Sequence, residues 1–492
     1  MTHRFISTAI PYVNASPHIG FALELVIADA IARHARLRGH DTYFLSGTDD
    51  NSLKNAIAAE AAGRSTRDFV DLRAAEFDGL KRILNVSYDD YLRTSADPRH
   101  APAVEKLWHA CSANGDIYAG RYDGLYCVGC EHFYSEDDLP DGACPEHRTA
   151  PDRVSEPNYF FRLSRYQDEL IRLIGGDRVA IRPVQRKREV LSLLQAPLPD
   201  LSISRSTERA RGWGLRVPGD PSQIVYVWFD ALTNYISAPG YARDDERFRR
   251  HWAPGSRITH VIGKGVTRFH AVYWPAILLS AGLTPPSEIL VHGYVTIEGE
   301  KISKSHGRTV SPAAVAERYG TDALRYYLLR HVGSHHDGDF SWARCSEVYE
   351  HELANDLGNL VSRTTALGRR YGVPPPVPSQ LAAGLQDEVT SRMDEFAVHR
   401  ALEAIWNVIT AANAYVNRTA PWKLAKQGKE SAVGDVLGEL YATLHRVGEA
   451  LSPFLPDASR RLLETVAASS SEALFPREHR ALDGGQEPRD HP

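Results

Sequence analysis

Residues 4–50 read RFISTAIPYVNASPHIGFALELVIADAIARHARLRGHDTYFLSGTDD, and this stretch decides the fold. Its first part, RFISTAIPY, is rich in β-branched and aromatic residues and reaches a proline near its end, which is typical of a buried strand. Beyond it, Leu23, Ile27 and Ile31 recur at helical spacing, and DTYFLSGTDD then returns to a strand pattern. A strand, a helix and a second strand in so short a stretch predict a parallel crossover unit and an α/β fold.

The tetrapeptide PHIG, residues 17–20, lies at the predicted turn between the first strand and the helix. Parallel α/β sheets bind ligands at the carboxyl ends of their strands, where helix amides and the helix dipole favour phosphate. Gly20 suits an ordinary tight turn equally well. The motif alone therefore leaves a structural turn and a phosphate site open.

A second motif, EGEKISKSHGRTVSP at residues 298–312, places Lys301 and Lys304 in a polar loop after the strand-like ILVHGYVTI. Lysines in such a loop are usually just solvated. Their ammonium groups can also neutralise the charge that develops when a triphosphate is cleaved. The nucleotide-type turn earlier in the chain favours this second interpretation.

Composition narrows the class of protein. A chain of 492 residues is long enough for two to four domains. Its net charge of −5 argues against non-specific wrapping of a long nucleic acid but leaves room for a local basic surface. No apolar run has the length of a membrane span and the chain does not open on a signal peptide, so we expect a cytoplasmic protein.

Three of the five cysteines cluster in YCVGCEHFYSEDDLPDGACPEH, which indicates a metal site rather than a disulfide framework. Cys127 and Cys130 form one close pair, and Cys144 and His147 form another. Two such pairs suit a tetrahedral, structural Zn²⁺ ion with a closed ligand shell. The alternative is three unrelated cysteines and a histidine.

From about residue 346 the pattern becomes helical. The stretch EHELANDLGNLVSRTTALGRRYG ends at Gly372, before the proline-rich VPPPVPSQ. Two further helical stretches, 380–418 and 431–465, predict an antiparallel bundle.

PHIG and KISKS together resemble the signature pair of the class I aminoacyl-tRNA synthetases. The stretches TAIPYVNASPHIG, RLRGHDTYFLSGTD, YVWFDALTNYISAPG, RFHAVYWPAILLSAGL and DALRYYLLR resemble the methionyl-tRNA synthetase family in particular. The resemblance implies a Rossmann-like parallel-sheet catalytic domain with a zinc-knuckle insertion, followed by an α-helical anticodon-binding bundle. The first half of the catalytic domain is expected at 1–116, the insertion at 117–225 and the second catalytic half at 226–295. The KISKS and stem-contact region is expected at 296–345, the anticodon-binding domain at 346–480 and a disordered tail at 481–492.

The resemblance also implies a role for individual residues. Catalysis is expected from His18, Lys301 and Lys304, and ATP binding from these three with Gly20, Gly263 and Ser303. Asp49 is expected to bind the amino group of methionine. The other residues expected to form the amino-acid pocket are Ile10, Tyr12, Trp228, Ala231, Tyr235, His270 and Trp274. His270 and Trp274 are four residues apart, which predicts that they share one face of a helix. The anticodon CAU would be read by Asn359, Arg363 and Trp422. The implied ligands are ATP, Mg²⁺, Zn²⁺, L-methionine and tRNA(Met), and a monomer is expected because no appended dimerisation domain follows the bundle.

Three places depart from the family pattern. Phe21 stands where the family motif ends in a second histidine, and Gly265 stands where an aspartate usually meets the ribose. Asp50, Asn51 and Ser52 replace the usual residues after the second strand. These changes surround the ATP and reaction site.

Three functions therefore stay open at the level of sequence. The first is ATP-dependent ligation of methionine to tRNA(Met) through a methionyl-adenylate, by a main or a second copy of the enzyme. The second is amino-acid activation for a small-molecule acceptor in specialised metabolism, which the retained anticodon residues disfavour. The third is a catalytically weakened tRNA-binding protein.

Overall fold

The computed structural model describes residues 2–129, 132–134, 139, 141–144, 148–301, 309–333 and 335–476. The chain forms two compact units. The first comprises Met1–Arg82 and Val86–Tyr294, and the second comprises Ile83–Asn85 and Val295–Pro492. No helix in the described ranges is both long and apolar enough to span a membrane.

The first unit is built on a six-stranded parallel sheet in the order β3-β2-β1-β12-β13-β7. Its strands are β1 (His3–Thr8), β2 (Asp41–Thr48), β3 (Asp90–Arg93), β7 (Ala180–Arg182), β12 (Arg257–Gly263) and β13 (Glu288–His292). Phe5 of β1 is in register with Tyr43 on one side and Ile258 on the other, so the first strand lies in the middle of the sheet. This placement explains its apolar sequence, because a strand with neighbours on both sides and helices on its faces is buried.

The described part of this unit contains nine α-helices. They are α1 (Ile19–Leu37), α2 (Leu53–Ala61), α3 (Thr66–Ile83), α4 (His100–Ala113), α5 (Gln167–Gly175), α6 (Val184–Leu193), α7 (Val227–Ser237), α8 (Glu246–His251) and α9 (Trp274–Ser280). The crossover β1–α1–β2 confirms the strand–helix–strand prediction for residues 4–50.

Two antiparallel sheets occupy most of the segment between the halves of the parallel sheet. One has the order β5-β4-β6-β8, and the other has the order β10-β11-β9. Their strands are β4 (Ile117–Cys127), β5 (His132–Tyr134), β6 (Asp152–Phe161), β8 (Leu201–Ser202), β9 (Ser204–Ser206), β10 (Arg216–Val217) and β11 (Asp220–Val225). Within this segment, β7 returns to the parallel sheet and pairs with β13. A strand of three residues is too short to show a periodic pattern, so this return could not be predicted from the sequence.

The second unit begins with a small sheet of order β15-β14-β16 and continues as helices. The strands are β14 (Val295–Ile297), β15 (Glu300–Lys301) and β16 (Gly338–Phe340). The helices are α10 (Pro312–Tyr319), α11 (Thr321–Tyr326), α12 (Trp342–Val348), α13 (Asn359–Tyr371), α14 (Leu385–Asp394), α15 (Val398–Thr419), α16 (Pro421–Lys426), α17 (Glu430–Leu451) and α18 (Pro456–Ala468), with π-helical turns at Tyr327–Val332 and Tyr349–Gly358.

Both long helical stretches predicted in this unit are interrupted. The stretch 380–418 breaks between α14 and α15 at Phe396, which has a left-handed φ of 58°. The stretch 431–465 breaks between Leu451, where α17 ends, and Pro456, where α18 begins. Two prolines, Pro453 and Pro456, lie in this interval or at its end; each lacks an amide hydrogen and disfavours helical backbone in the residue before it. The predicted end of the first helix at Gly372 is confirmed, and that glycine has a φ of 93°.

Candidate active site

PHIG occupies the turn between β1 and α1, as predicted. His18 is the N-cap of α1, and its Nδ1 accepts a hydrogen bond from the Gly20 amide at 3.2 Å. Since β1 is central, this helix N-terminus lies at the carboxyl edge of the parallel sheet. The turn thus presents helix amides and an imidazole together, which is the arrangement that favours a phosphate group.

Phe21 packs directly against the imidazole of the PHIG motif. Its ring centroid is 4.4 Å from that of His18 and 5.1 Å from that of Phe77, which it meets edge to face. The half-buried Phe21 side chain also borders the apolar cluster that contains Val13 and Phe69. The phenylalanine therefore supports His18 by packing, although it supplies no hydrogen-bond donor.

Asp49 follows β2 and lies beside the first turn of the chain. Its backbone forms an isolated parallel bridge with Tyr12, and its amide donates to the Pro11 carbonyl at 2.9 Å. Asp49 is only 1% exposed, and its Oδ1 accepts from the Asn51 amide at 3.2 Å. A buried carboxylate beside an aromatic ring can bind an ammonium group strongly, because water screens the attraction little.

The predicted thioether-binding residues come together on α7 and the segment before α9. Trp228, Ala231 and Tyr235 are spaced along one face of α7. The ring of Tyr12 lies 6.2 Å from that of Trp228, and that of Tyr235 lies 6.0 Å from that of Trp274. Rings grouped in this way suit a flexible, polarisable side chain. Ile10 is half-buried in the same first turn.

His270 lies on a π-helical turn, Phe269–Tyr273, directly before Trp274 begins α9. The sequence predicted a regular helix with both residues on one face. The wider turn changes the angle between them, although both are buried near Tyr235. Local sequence does not reveal the wider turn, because its hydrogen bonds depend on what packs against it.

His270 is held as a neutral ring. Its Nδ1 donates to the Val266 carbonyl at 2.9 Å, and its Nε2 accepts from the Tyr235 hydroxyl at 2.7 Å. Burial lowers the pKa of His270 to about 4, and the hydrogen bond to Val266 opposes that shift. His270 can therefore shape the pocket and position Tyr235 but does not carry a charge near neutral pH.

Sequence reasoning missed two aromatic residues of this cluster. Phe269 stacks on Trp228 with centroids 3.7 Å apart and planes within 6°. His260 of β12 lies 4.2 Å from the Tyr235 ring, and its Nδ1 is 2.7 Å from Ser7 Oγ. A polar residue in the middle of the buried strand RITHVIG was the available signal for His260.

Gly263 ends β12 at the same sheet edge. A Cβ atom at this position would lie 3.5 Å from the His292 ring and 3.9 Å from Glu24 Oε2. These two side chains are paired, with His292 Nε2 2.9 Å from Glu24 Oε2. Gly265, two residues further on, is exposed in a 3₁₀ turn.

The unusual residues after β2 have structural partners. Asp50 pairs with Arg93, whose Nη2 is 2.9 Å from Oδ2; burial raises the pKa of Asp50, and Arg93 opposes the rise. Asn51 donates through Nδ2 to Asp230 Oδ2 at 2.8 Å. Ser52 is the N-cap of α2 and accepts from the Lys54 amide. The departures in this loop are thus built into the fold.

Two of the four predicted zinc ligands are described. Cys127 ends β4, and both Cys127 and Cys144 are buried. Cys130 and His147 lie outside the described residues. In the KISKS motif, Lys301 ends β15, opposite Thr296 of β14; its side chain, Ser303 and Lys304 also lie outside the described residues.

The predicted anticodon-binding residues lie close together in the second unit. Asn359 begins α13, and Arg363 lies one turn further along it. The Arg363 guanidinium is 5.8 Å from the centre of the Trp422 ring and donates to Asn417 Oδ1 at 2.8 Å. All three predicted residues are half-buried, so part of each side chain faces solvent.

The chain matches two family models. One is described as tRNA synthetases class I (M) and matches residues 4–156 and 147–365. The other is described as the anticodon binding domain of methionyl tRNA ligase and matches residues 376–484.

Individual relatives agree with these models. A methionine–tRNA ligase of Brucella melitensis is 41% identical, over 96% of this chain and 93% of that protein. One of Caldanaerobacter subterraneus is 40% identical, over 94% of this chain and 73% of that protein. The solved Mycobacterium tuberculosis methionyl-tRNA synthetase in complex with methionyl-adenylate is 38% identical and superposes with a TM-score of 0.89, covering 97% of this chain and all of that one.

The parallel sheet with PHIG at its carboxyl edge, together with the family-model match, identifies a class I aminoacyl-tRNA synthetase. The relatives narrow this class further. The chain belongs to the methionine–tRNA ligase family.

Proposed function

We propose that this chain activates L-methionine with ATP and transfers the methionyl group to tRNA(Met). The observation that carries the proposal is the buried Asp49 carboxylate beside Tyr12, next to the aromatic cluster around Trp228 and Tyr235. An ammonium-binding carboxylate and an uncharged aromatic pocket are what methionine requires. A cytoplasmic location and a monomeric state remain predictions from the sequence.

In the first step, a methionine carboxylate oxygen attacks the α-phosphorus of ATP, and pyrophosphate leaves. ATP enters as its magnesium complex. We assign His18 to the stabilisation of charge on the phosphate oxygens, since its ring lies at the N-terminus of α1. Lys301 and Lys304 are assigned to the same task by the KISKS motif. In the second step, a hydroxyl of the terminal adenosine of tRNA attacks the methionyl carbonyl, and AMP leaves.

The test of the proposed function is a charging assay with methionine, ATP and tRNA carrying the CAU anticodon. Methionyl-tRNA should accumulate. If methionine drives ATP–pyrophosphate exchange but no tRNA is charged, a small-molecule acceptor replaces tRNA. If neither reaction occurs although the tRNA binds, the chain is a binding protein.

Replacing the proposed anticodon-stacking residue should separate charging from activation. Base–aromatic stacking contributes about 1–3 kcal/mol, so Trp422→Ala should lower kcat/KM for tRNA about 5- to 150-fold and leave ATP–pyrophosphate exchange unchanged. Trp422→Phe keeps an aromatic face and is the matched control. Equal charging by wild type, Trp422→Ala and Trp422→Phe would show that Trp422 does not contact the anticodon.

We further propose that Cys127, Cys130, Cys144 and His147 hold a structural Zn²⁺ ion. The buried thiols of Cys127 and Cys144 fit this role, because thiolates and imidazole are the ligands that closed zinc sites use. Purified protein should contain about one zinc per chain, and Cys144→Ser should lose it. Cys345→Ser, which removes a buried cysteine of the second unit, should retain the zinc. Full zinc content in Cys144→Ser would refute the assignment.

Phe21 offers a gain-of-function test. In Phe21→His the new ring would stand beside His18 and could donate to a phosphate oxygen, so we expect kcat for adenylate formation to rise about tenfold. This is less than the full effect of a preorganised donor, about 10²–10³. Loss of the edge-to-face contact with Phe77 should lower stability by about 0.5–1.5 kcal/mol. Phe21→Leu should lose stability without the gain in rate, and an unchanged kcat in Phe21→His would show that the site has adapted to the phenylalanine.

A further inference from the structure

A chain of buried hydrogen bonds connects the loop after β2 with α4 and α7. Asn51 Nδ2 donates to Asp230 Oδ2 at 2.8 Å. The other carboxylate oxygen of Asp230 lies 2.5 Å from His100 Nε2, at the start of α4. The second nitrogen of His100, Nδ1, is 3.0 Å from Ser237 Oγ at the end of α7. These four residues are all buried, and His100 is 0% exposed.

This chain of hydrogen bonds ends at the Asp49 carboxylate, which is assigned to the amino group of methionine. The Asn51 backbone amide donates to Asp49 Oδ1 at 3.2 Å, while the Asn51 side chain is held by Asp230. The Asn55 side chain adds two bonds, at 2.9 Å each, to the Asp49 and Asp50 carbonyls. Both the backbone and the carboxylate of Asp49 are therefore held in one orientation.

The same chain of hydrogen bonds includes residues of α7, the helix that carries the proposed thioether-binding residues. Trp228, Ala231 and Tyr235 lie along one face of α7, whereas Asp230 and Ser237, seven residues apart, lie along another. The second face meets His100 of α4 through the hydrogen bonds above. One face of α7 thus forms the amino-acid pocket, and the other fixes the position of the helix.

Burying this many polar groups is costly unless all of them find partners, and apolar residues could join α7 to the loop at a lower cost. Hydrogen bonds are directional, so a satisfied polar chain holds one geometry more strictly than apolar contacts do. A site that binds an ammonium group and a thioether at a defined separation requires its binding residues to be held in one fixed geometry.

We propose that Asn51, Asp230 and His100 are positioning residues that orient the Asp49 carboxylate relative to α7 and thereby set the affinity for the amino group of the substrate. This inference rests on the proposed function, which makes Asp49 the ammonium-binding group. It also assigns a role to Asn51, one of the residues that depart from the family pattern.

The test measures equilibrium binding, so it does not depend on catalysis. Calorimetric titration of Asn51→Ala should show the Kd of methionine raised about tenfold and the Kd of ATP unchanged. The decisive ligand is 4-(methylsulfanyl)butanoate, which is methionine without its α-amino group. Because this analogue has no ammonium for Asp49 to bind, its Kd should be the same in wild type and Asn51→Ala.

Four further proteins complete the experiment. Asn114→Ala removes an amide–carboxylate bond outside this network, Asn114 Nδ2 to Asp116 Oδ2 at 2.7 Å, and should leave the Kd of methionine unchanged. His100→Asn acts on the far side of Asp230 from Asn51 and should weaken methionine binding in the same selective way. The double variant Asp49→Asn/Asn51→Ala should bind methionine no more weakly than Asp49→Asn alone, because both changes act on one interaction.

If Asn51→Ala weakened the binding of methionine and of its desamino analogue equally, the inference would be overturned, because the hydrogen-bond chain would then only stabilise the fold. An unchanged Kd for methionine would overturn it as well. Wild-type protein that binds methionine selectively but drives no ATP–pyrophosphate exchange would refute the proposed function and leave the inference standing. Wild-type protein that binds no methionine would refute both.

Discussion

Asp49→Asn should lower kcat/KM for methionine activation by about 10²–10⁴-fold, the largest loss that we expect from any single substitution. Removing one partner of a buried charge pair costs about 3–5 kcal/mol, because the other charge is left without compensation. Asp49 is buried, so water cannot replace it as a partner for the substrate ammonium. The effect should be on the KM of methionine, with the KM of ATP nearly unchanged.

The measurement is ATP–pyrophosphate exchange over a wide range of methionine concentrations. Asp168→Asn neutralises an exposed carboxylate in the first turn of α5 and should behave as wild type. The thermal midpoint of Asp49→Asn should stay close to that of wild type, because the amide has the same shape. A normal KM for methionine in Asp49→Asn would mean that another group binds the ammonium.

Substitution of His18 should lower kcat for adenylate formation by about 10²–10³-fold, the typical cost of removing one preorganised donor. The same ring also caps α1 by accepting from the Gly20 amide. These two roles can be separated, because asparagine is a good N-cap residue whereas alanine is not. Both variants should lose the rate and the ring contact with Phe21, but His18→Asn should keep the cap, so His18→Ala should be less stable than His18→Asn by about 0.5–2 kcal/mol.

Single-turnover formation of methionyl-adenylate gives the rate, and denaturant unfolding gives the stability. The affinity for methionine should be similar in wild type, His18→Asn and His18→Ala, since His18 acts on the phosphates. Full activity in His18→Asn would show that PHIG is a structural turn, the alternative that the sequence left open.

The tertiary structure changes how the family departures are understood. Asp50, Asn51 and Ser52 pair with Arg93, Asp230 and the Lys54 amide respectively, so these residues are integrated in the first unit. Phe21 packs on His18 and Phe77. The family match over nearly the whole chain supports ligation of methionine to tRNA over the two other functions that the sequence allowed.

Local sequence determined the features that depend on neighbouring residues in the chain. The alternation of apolar segments in residues 4–50 predicted β1, α1 and β2, and it placed PHIG at the turn between them. Gly372 marked the end of α13 because it can adopt a left-handed backbone. Pro453 and Pro456 were equally readable signals for the break between α17 and α18, and both were missed.

Only the tertiary structure could decide features made by residues that are distant in the chain. The contact of Asn51 with Asp230 spans 179 positions, and that of His100 with Asp230 spans 130. The stacking of Phe269 on Trp228 and the return of β7 to the main sheet are of the same kind. Periodicity and propensity describe how a segment buries one of its faces, but they carry no information about which distant segment covers that face. The identity of the strands and helices was therefore local information, whereas the hydrogen-bond partners inside the candidate site depended on the packing of the whole first unit.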